Sequence, residues 1–89
     1  MKRSFSITVT GRVQGVGFRF YTQKKARALG INGFMKNMRD GSVYIEAEGE
    51  SEKLNEFVLW VQKGPEWARV DDVKLQEKPL EQFEGFSIR

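Results

Sequence analysis

Two amphipathic helical segments set among five short strand-like segments predict an α+β domain. Its two helices would lie on one face of a five-stranded, mostly antiparallel sheet. Three observations carry this. Polar and apolar residues alternate with period two over Ser4–Thr10 and Ser42–Glu48. Apolar residues recur at helical spacing after Gly17 and again after Ser51. Asp40-Gly41 stands where one strand-like run must turn back on the next. The order strand, helix, strand, strand, helix, strand, with one strand added, is the ferredoxin-like split βαβ sandwich. That fold hosts many functions and by itself decides none.

In the first strand Phe5, Ile7 and Val9 point one way, and Ser4, Ser6, Thr8 and Thr10 the other. Gly11-Arg12-Val13-Gln14-Gly15-Val16-Gly17 reads as a glycine-rich loop. Phe18–Leu29 is helical, with Phe18, Thr22, Ala26 and Leu29 on one face, Lys25 reaching outward from it, and Gly30 as the stop. Phe34–Met38 and Ser42–Glu48 form a hairpin. Ser51 is placed to cap a second helix, whose stripe is Leu54, Phe57, Val58 and Val61 and which Gly64-Pro65 ends. Val70–Leu75 is a weaker strand, and Phe86–Ile88 a short terminal one. The core is expected to hold Phe5, Ile7, Val9, Leu29, Val43, Ile45, Leu54, Phe57, Val58 and Val61.

The 89 residues are expected to form one domain, spanning 1–89. They include no cysteine and no histidine, which removes Ser–His and Cys–His catalysis, disulfides and the usual zinc sites. Carboxylate-bound magnesium is the one metal site the composition leaves open, but the acidic residues are scattered, so the expectation is a chemistry with no metal and no other cofactor. A net charge of +3 and a pI near 9.4 make the chain mildly basic. Lys24, Lys25 and Arg27 come near to a basic patch, but acids dilute the rest, and a small anion fits at least as well as nucleic acid. The basic start Met1-Lys2-Arg3 is followed by no apolar leader, and no stretch reaches membrane-spanning length. The expected location is the cytoplasm.

Gln14-Gly15-Val16-Gly17-Phe18-Arg19 joins a strand to the start of a helix. Glycines let successive backbone N–H groups converge on one concavity, and the helix N-terminus adds partial positive charge. Arg19, in the first helical turn, would reach over that concavity with a guanidinium fork that matches two phosphate oxygens. The competing reading is a tight turn with Arg19 merely solvated. Two better-known loops do not apply. A P-loop requires Gly-Lys-Ser/Thr where Gly17-Phe18-Arg19 stands, and the dinucleotide fingerprint requires a glycine where Phe20 stands.

Gly11-Arg12-Val13-Gln14-Gly15-Val16-Gly17-Phe18-Arg19 resembles the phosphate-binding loop of the acylphosphatase family. Gly33-Phe34-Met35-Lys36-Asn37 with Asp40-Gly41-Ser42-Val43 and Gly49, then Gly64-Pro65-Glu66-Trp67-Ala68-Arg69-Val70, and Phe86-Ser87-Ile88 extend the likeness along the chain. Met35 departs from the smaller apolar residue usual there and reads as a packing variation. The resemblance implies hydrolysis of the carboxyl–phosphate bond of acyl phosphates. The loop residues Gln14, Gly15, Val16, Gly17, Phe18 and Arg19 would hold the phosphate, and Asn37 the attacking water. On its own residue type, Asn37 reads first as a turn residue of the Arg39-Asp40-Gly41 bend, and the resemblance reverses that preference.

Such chemistry asks little of a protein. The leaving carboxylate is weakly basic, a substrate oxygen takes the water's proton, and phosphoryl transfer is mainly positioning and charge stabilisation. The expected partner is thus a small acyl phosphate, with inorganic phosphate or sulfate competing, no nucleic acid, no membrane, and a monomeric chain. The alternatives are a non-catalytic anion-binding or carbamoyl-phosphate-processing accessory domain, as in hydrogenase-maturation carbamoyltransferases, and an RNA-binding module. The last wants strand aromatics that Met35-Lys36-Asn37-Met38 and Val43-Tyr44-Ile45 do not supply. Phe20 and Tyr21 read as packing or site-wall residues, Trp60 and Trp67 as core and loop anchors, and Glu46, Glu48, Glu50 and Glu52 as a solvated acidic edge.

Overall fold

Alternation along the first strand is satisfied by burying one face under helices. In the computed structural model, which describes residues 1–89, β1 (Lys2–Arg12) is followed by α1 (Phe18–Ala28), β2 (Asn32–Asn37), β3 (Val43–Glu50), α2 (Ser51–Lys63), β4 (Arg69–Lys78) and β5 (Phe86–Ile88). The sheet order is β4-β1-β3-β2-β5. All neighbours are antiparallel except β2 and β5. The expected ferredoxin-like arrangement is therefore present, and no helix is long and apolar enough to cross a membrane.

Ile7 and Val9 lie opposite Ile45 and Val43, and with Met35 and Ala47 they form the sheet side of the core. Phe18 and Ala26 of α1 and Leu54, Phe57, Val58 and Val61 of α2 close over it. Burying each large apolar side chain of that stripe stabilises the fold by about 1.5–3 kcal/mol. Met35 is wholly buried, in keeping with a packing role. Phe5 and Leu29 fall short of the expected burial and only pack against the core's margin.

β1 runs to Arg12, so Gly11 and Arg12 belong to the strand and not to the loop. The extension pairs them with Val70 and Arg69 of β4 past an irregularity at Thr10/Gly11. Gly11 has φ +131°, and a side chain there would collide with the Arg69 carbonyl. β4 is longer than its sequence pattern suggested because it follows β1 as an exposed edge. Its charges (Arg69, Asp71, Asp72, Lys74, Glu77 and Lys78) guard that edge against strand addition.

Ser51 does not cap α2. It is the helix's first residue, and its hydroxyl donates instead to the Met1 carbonyl at 2.8 Å. The cause is register, since Lys2 pairs with Glu50 and brings the chain start against the helix. Gly64, at φ +74°, ends α2 as expected, with its N–H donating to Trp60 C=O at 2.8 Å. Trp60 packs on Phe18, but Trp67 is 72% exposed and anchors nothing.

The opposite face of the sheet is not simply solvated. The segment after β4 crosses it, and Glu48 is buried beneath. The Glu48 carboxylate accepts the N–H groups of Glu81, Gln82 (3.2 Å) and Phe83 (3.0 Å). Bonds to a charged acceptor contribute about 1.5–3 kcal/mol each. Glu48 is thus a latch for the crossover that delivers β5, which corrects the reading of it as part of a solvated edge. Glu46 is likewise engaged, by the Tyr44 hydroxyl at 2.7 Å and Lys78 at 3.7 Å. Burial, with that bond to Glu46, pushes the Tyr44 phenol up to about 12.

Candidate active site

β1 and β2 both run antiparallel to β3 and flank it, so their C-terminal ends emerge at one edge of the sheet. The loop after β1 and Asn37, the last residue of β2, therefore share that edge. Val9, Val43 and Asn37 mark it, since Val43 pairs with both of the others.

In the loop, Gly15 (φ +73°) and Gly17 (φ +78°) adopt the left-handed conformation that residues with a Cβ resist. None of the loop, turn or cap backbone hydrogen bonds has its donor between Val13 and Phe20, and the first belongs to Tyr21, whose N–H reaches Gly17 C=O at 3.1 Å. No side chain caps α1, and its first turn holds no acidic residue. The result is a run of backbone donors at a positive helix end with no internal acceptor.

Gly15, Gly17, Phe18 and Arg19 line one cleft of about 330 Å³, together with Val13, Phe20 and Ile88. Phe18 buries its ring in the core, so its side chain is not free to meet a ligand in the cleft. Val16 is not among the lining residues and packs against the core's margin. Gln14 spends its side chain elsewhere. Its amide donates to the carbonyls of Met38 (2.9 Å) and Ser42 (2.8 Å), bracing the loop against the β2–β3 turn. That partner choice has no sequence signal, because the carbonyls come from a distant turn.

Open space at Gly15 separates conformation from crowding. A Cβ there would meet nothing within 4 Å, so only backbone strain and an approaching ligand oppose a side chain. Gly15→Val is expected to weaken inorganic phosphate binding by at least about tenfold while destabilising the fold by about 1–3 kcal/mol. Phosphate titration alongside urea unfolding checks this, and normal phosphate affinity in the variant would remove the loop from the anion site.

Asn37 does not line the Arg19 cleft. It lies in a neighbouring, more open depression with Lys36, Met38, Arg39 and Asp40, and Gln14 spans the two through Met38. Its Oδ1 is buried without a hydrogen-bond partner. Buried polar atoms are nearly always paired, so this one calls for an external donor such as water. The turn does not use Asn37's oxygen. Asp40 accepts the Ser42 hydroxyl at 2.6 Å and its N–H at 2.9 Å, and Met38 N–H reaches Ser42 C=O at 2.8 Å. The Ser42 hydroxyl, then its N–H, hold the Asp40 carboxyl below the ordinary carboxylate value. This brace is intact at neutral pH and is lost only as pH falls through that lowered value.

Ile88 was missed as a cleft residue by sequence reasoning. β5 pairs in parallel with β2, Ile88 against Met35, and this carries the chain's far end beside Arg19. Phe86 seats the strand in the core against Phe57, and Gln23 donates to the Phe86 carbonyl at 3.0 Å.

Comparison with known proteins addresses the chain as a whole. The family model "Acylphosphatase" matches residues 5–88. The acylphosphatase of Thermotoga maritima is 45% identical over 87 residues, covering 98% of this chain and 97% of the relative. The crystal structure of acylphosphatase from Bacillus subtilis superposes with a TM-score of 0.94 at 41% identity, covering 100% of this chain and 99% of that one. Full-length HypF, in its phosphate- and nucleotide-bound form, contains a similar region with a TM-score of 0.92 at 27% identity, covering 12% of that chain. With the fold matched over its whole length and the family pattern over nearly all of it, the chain belongs to the acylphosphatase family and has acylphosphatase activity.

Proposed function

We propose that Arg19 and the backbone N–H groups of the Gly15–Phe18 turn hold the phosphate of an acyl phosphate, while Asn37 orients the attacking water. The observation that carries this is the run of backbone donors without internal acceptors, in the same cleft as Arg19. The buried, unpartnered Oδ1 of Asn37 supports the second role. Water oxygen attacks phosphorus as the bond from phosphorus to the acyl oxygen breaks, and that electron pair leaves on the carboxylate. One water proton passes to a phosphate oxygen and the other stays with the new P–O–H, giving carboxylate and inorganic phosphate. The protein supplies no acid or base. Its work is to place the nucleophile in line and to balance charge on the equatorial oxygens.

The reaction is expected to run without a metal, because the chain has neither His nor Cys and Asp40 is committed to Ser42. Benzoyl phosphate hydrolysis should keep its full rate after exhaustive treatment with EDTA, and inorganic phosphate should inhibit competitively. Loss of rate in EDTA with recovery on adding magnesium would refute the metal-free mechanism. Failure of phosphate to compete would refute the cradle.

A further inference from the structure

The cleft that holds Arg19 is lined by two chemically different kinds of residue. Arg19, Gly15 and Gly17 supply the polar part of its lining, and Val13, Phe20 and Ile88 supply apolar side chains. Phe20 is 60% exposed and Ile88 39% exposed. Exposed apolar side chains are common and alone imply nothing. These two differ in facing the same small cleft as the candidate anion cradle. Tyr21, exposed on the same helix, instead lines a separate groove with Lys24, Lys25, Ala28 and Trp60.

We propose that Phe20 and Ile88 form the subsite for the acyl group and give the enzyme a preference for acyl phosphates with flat, apolar acyl groups. This rests on the reading that the Gly15–Arg19 segment binds the phosphate. Covalent geometry then commits the occupant. In an acyl phosphate the carbonyl carbon is one bond from the bridging oxygen, so the acyl substituent is held beside the cleft that holds the phosphoryl group. An apolar substituent meets Phe20 and Ile88 there and sheds water from both surfaces. A small or polar substituent leaves that wall wet.

The wall is pre-ordered. Phe20 meets the Tyr21 ring edge-on, with centroids 5.2 Å apart and planes at 76°. The Tyr21 ring is itself set close to Gly17, where an added Cβ would lie 3.3 Å from the ring. Ile88 is fixed by strand pairing with Met35 and by the following Arg89 N–H, which donates to Met35 C=O at 2.8 Å. Little side-chain freedom is therefore lost when an aromatic acyl group binds.

The experiment compares benzoyl phosphate with acetyl phosphate in the wild type, Phe20→Ala and Phe20→Tyr, with inhibition by inorganic phosphate measured in each. Phe20→Ala should lower the benzoyl-over-acetyl ratio of kcat/KM by about tenfold, the scale of losing one aromatic contact face. The loss should appear mainly in KM for benzoyl phosphate, because the wall contacts ground and transition states alike. Phe20→Tyr, which keeps the ring, should restore the ratio. Comparing each variant with the wild type cancels the different intrinsic reactivity of the two substrates. An unchanged ratio in Phe20→Ala, or an equal loss on both substrates, would overturn the subsite. The cradle fails by a different sign, absence of phosphate competition in the wild type, and that result would overturn both readings.

Discussion

Arg19→Ala is expected to lower kcat/KM for an acyl phosphate by about a thousandfold, the cost of losing two charge-assisted hydrogen bonds from one fork. The loss should be shared between binding and turnover, because the phosphate keeps its charge from ground state to transition state. Inorganic phosphate should bind correspondingly more weakly. Arg19→Lys should recover only part of the loss, since an ammonium returns the charge without the bidentate geometry. The fold should be unaffected. The Arg19 side chain is exposed, and it is a partner in none of the chain's ion pairs. Steady-state kinetics with phosphate inhibition and a urea melt measure all three quantities. A variant that binds phosphate normally would move the anion site away from Arg19.

Asn37→Ala should act on a different quantity. Here kcat is expected to fall by at least about a hundredfold, the scale of losing a preorganised polar group at the reacting centre. KM and phosphate affinity should change little, because the contact is made chiefly to the nucleophile. The structure adds an expectation about stability. Deleting a buried oxygen that has no internal partner removes a desolvation cost, so the urea midpoint should stay level or rise. Lower activity with equal or greater stability is the signature of a residue kept for chemistry. Turnover near the wild-type rate would return Asn37 to an ordinary turn residue, a role that Asp40 and Ser42 already fill.

Much of the molecule was written in local pattern. The α2 stripe of Leu54, Phe57, Val58 and Val61 is buried as its spacing required, and Gly64 stops the helix. The two glycines and Arg19 of the candidate cradle lie within five residues of one another, so their geometry follows from backbone conformation and a single helix start. Asn37 was singled out by resemblance, since its residue type alone favours a turn.

Other features depend on pairings between distant segments, and no local pattern encodes them. Ser51 exchanged its expected capping role for a bond to Met1 because β1 and β3 align their ends. Glu48 looks solvated in a run of acids, yet the crossover to β5 lies over it and donates three amides to its carboxylate. Gln14 finds its carbonyl partners in a turn that only the sheet order brings near. Ile88 reaches the Arg19 cleft through the parallel β2–β5 ladder. The sequence by itself determined the elements, most of the core and the left-handed glycine turn of the candidate cradle, because each rests on side-chain periodicity or backbone conformation over a few residues. Tertiary structure alone decided what braces that turn, what latches the crossover and what forms the apolar wall beside Arg19, because strand register is a non-local choice set by burial across the whole sheet.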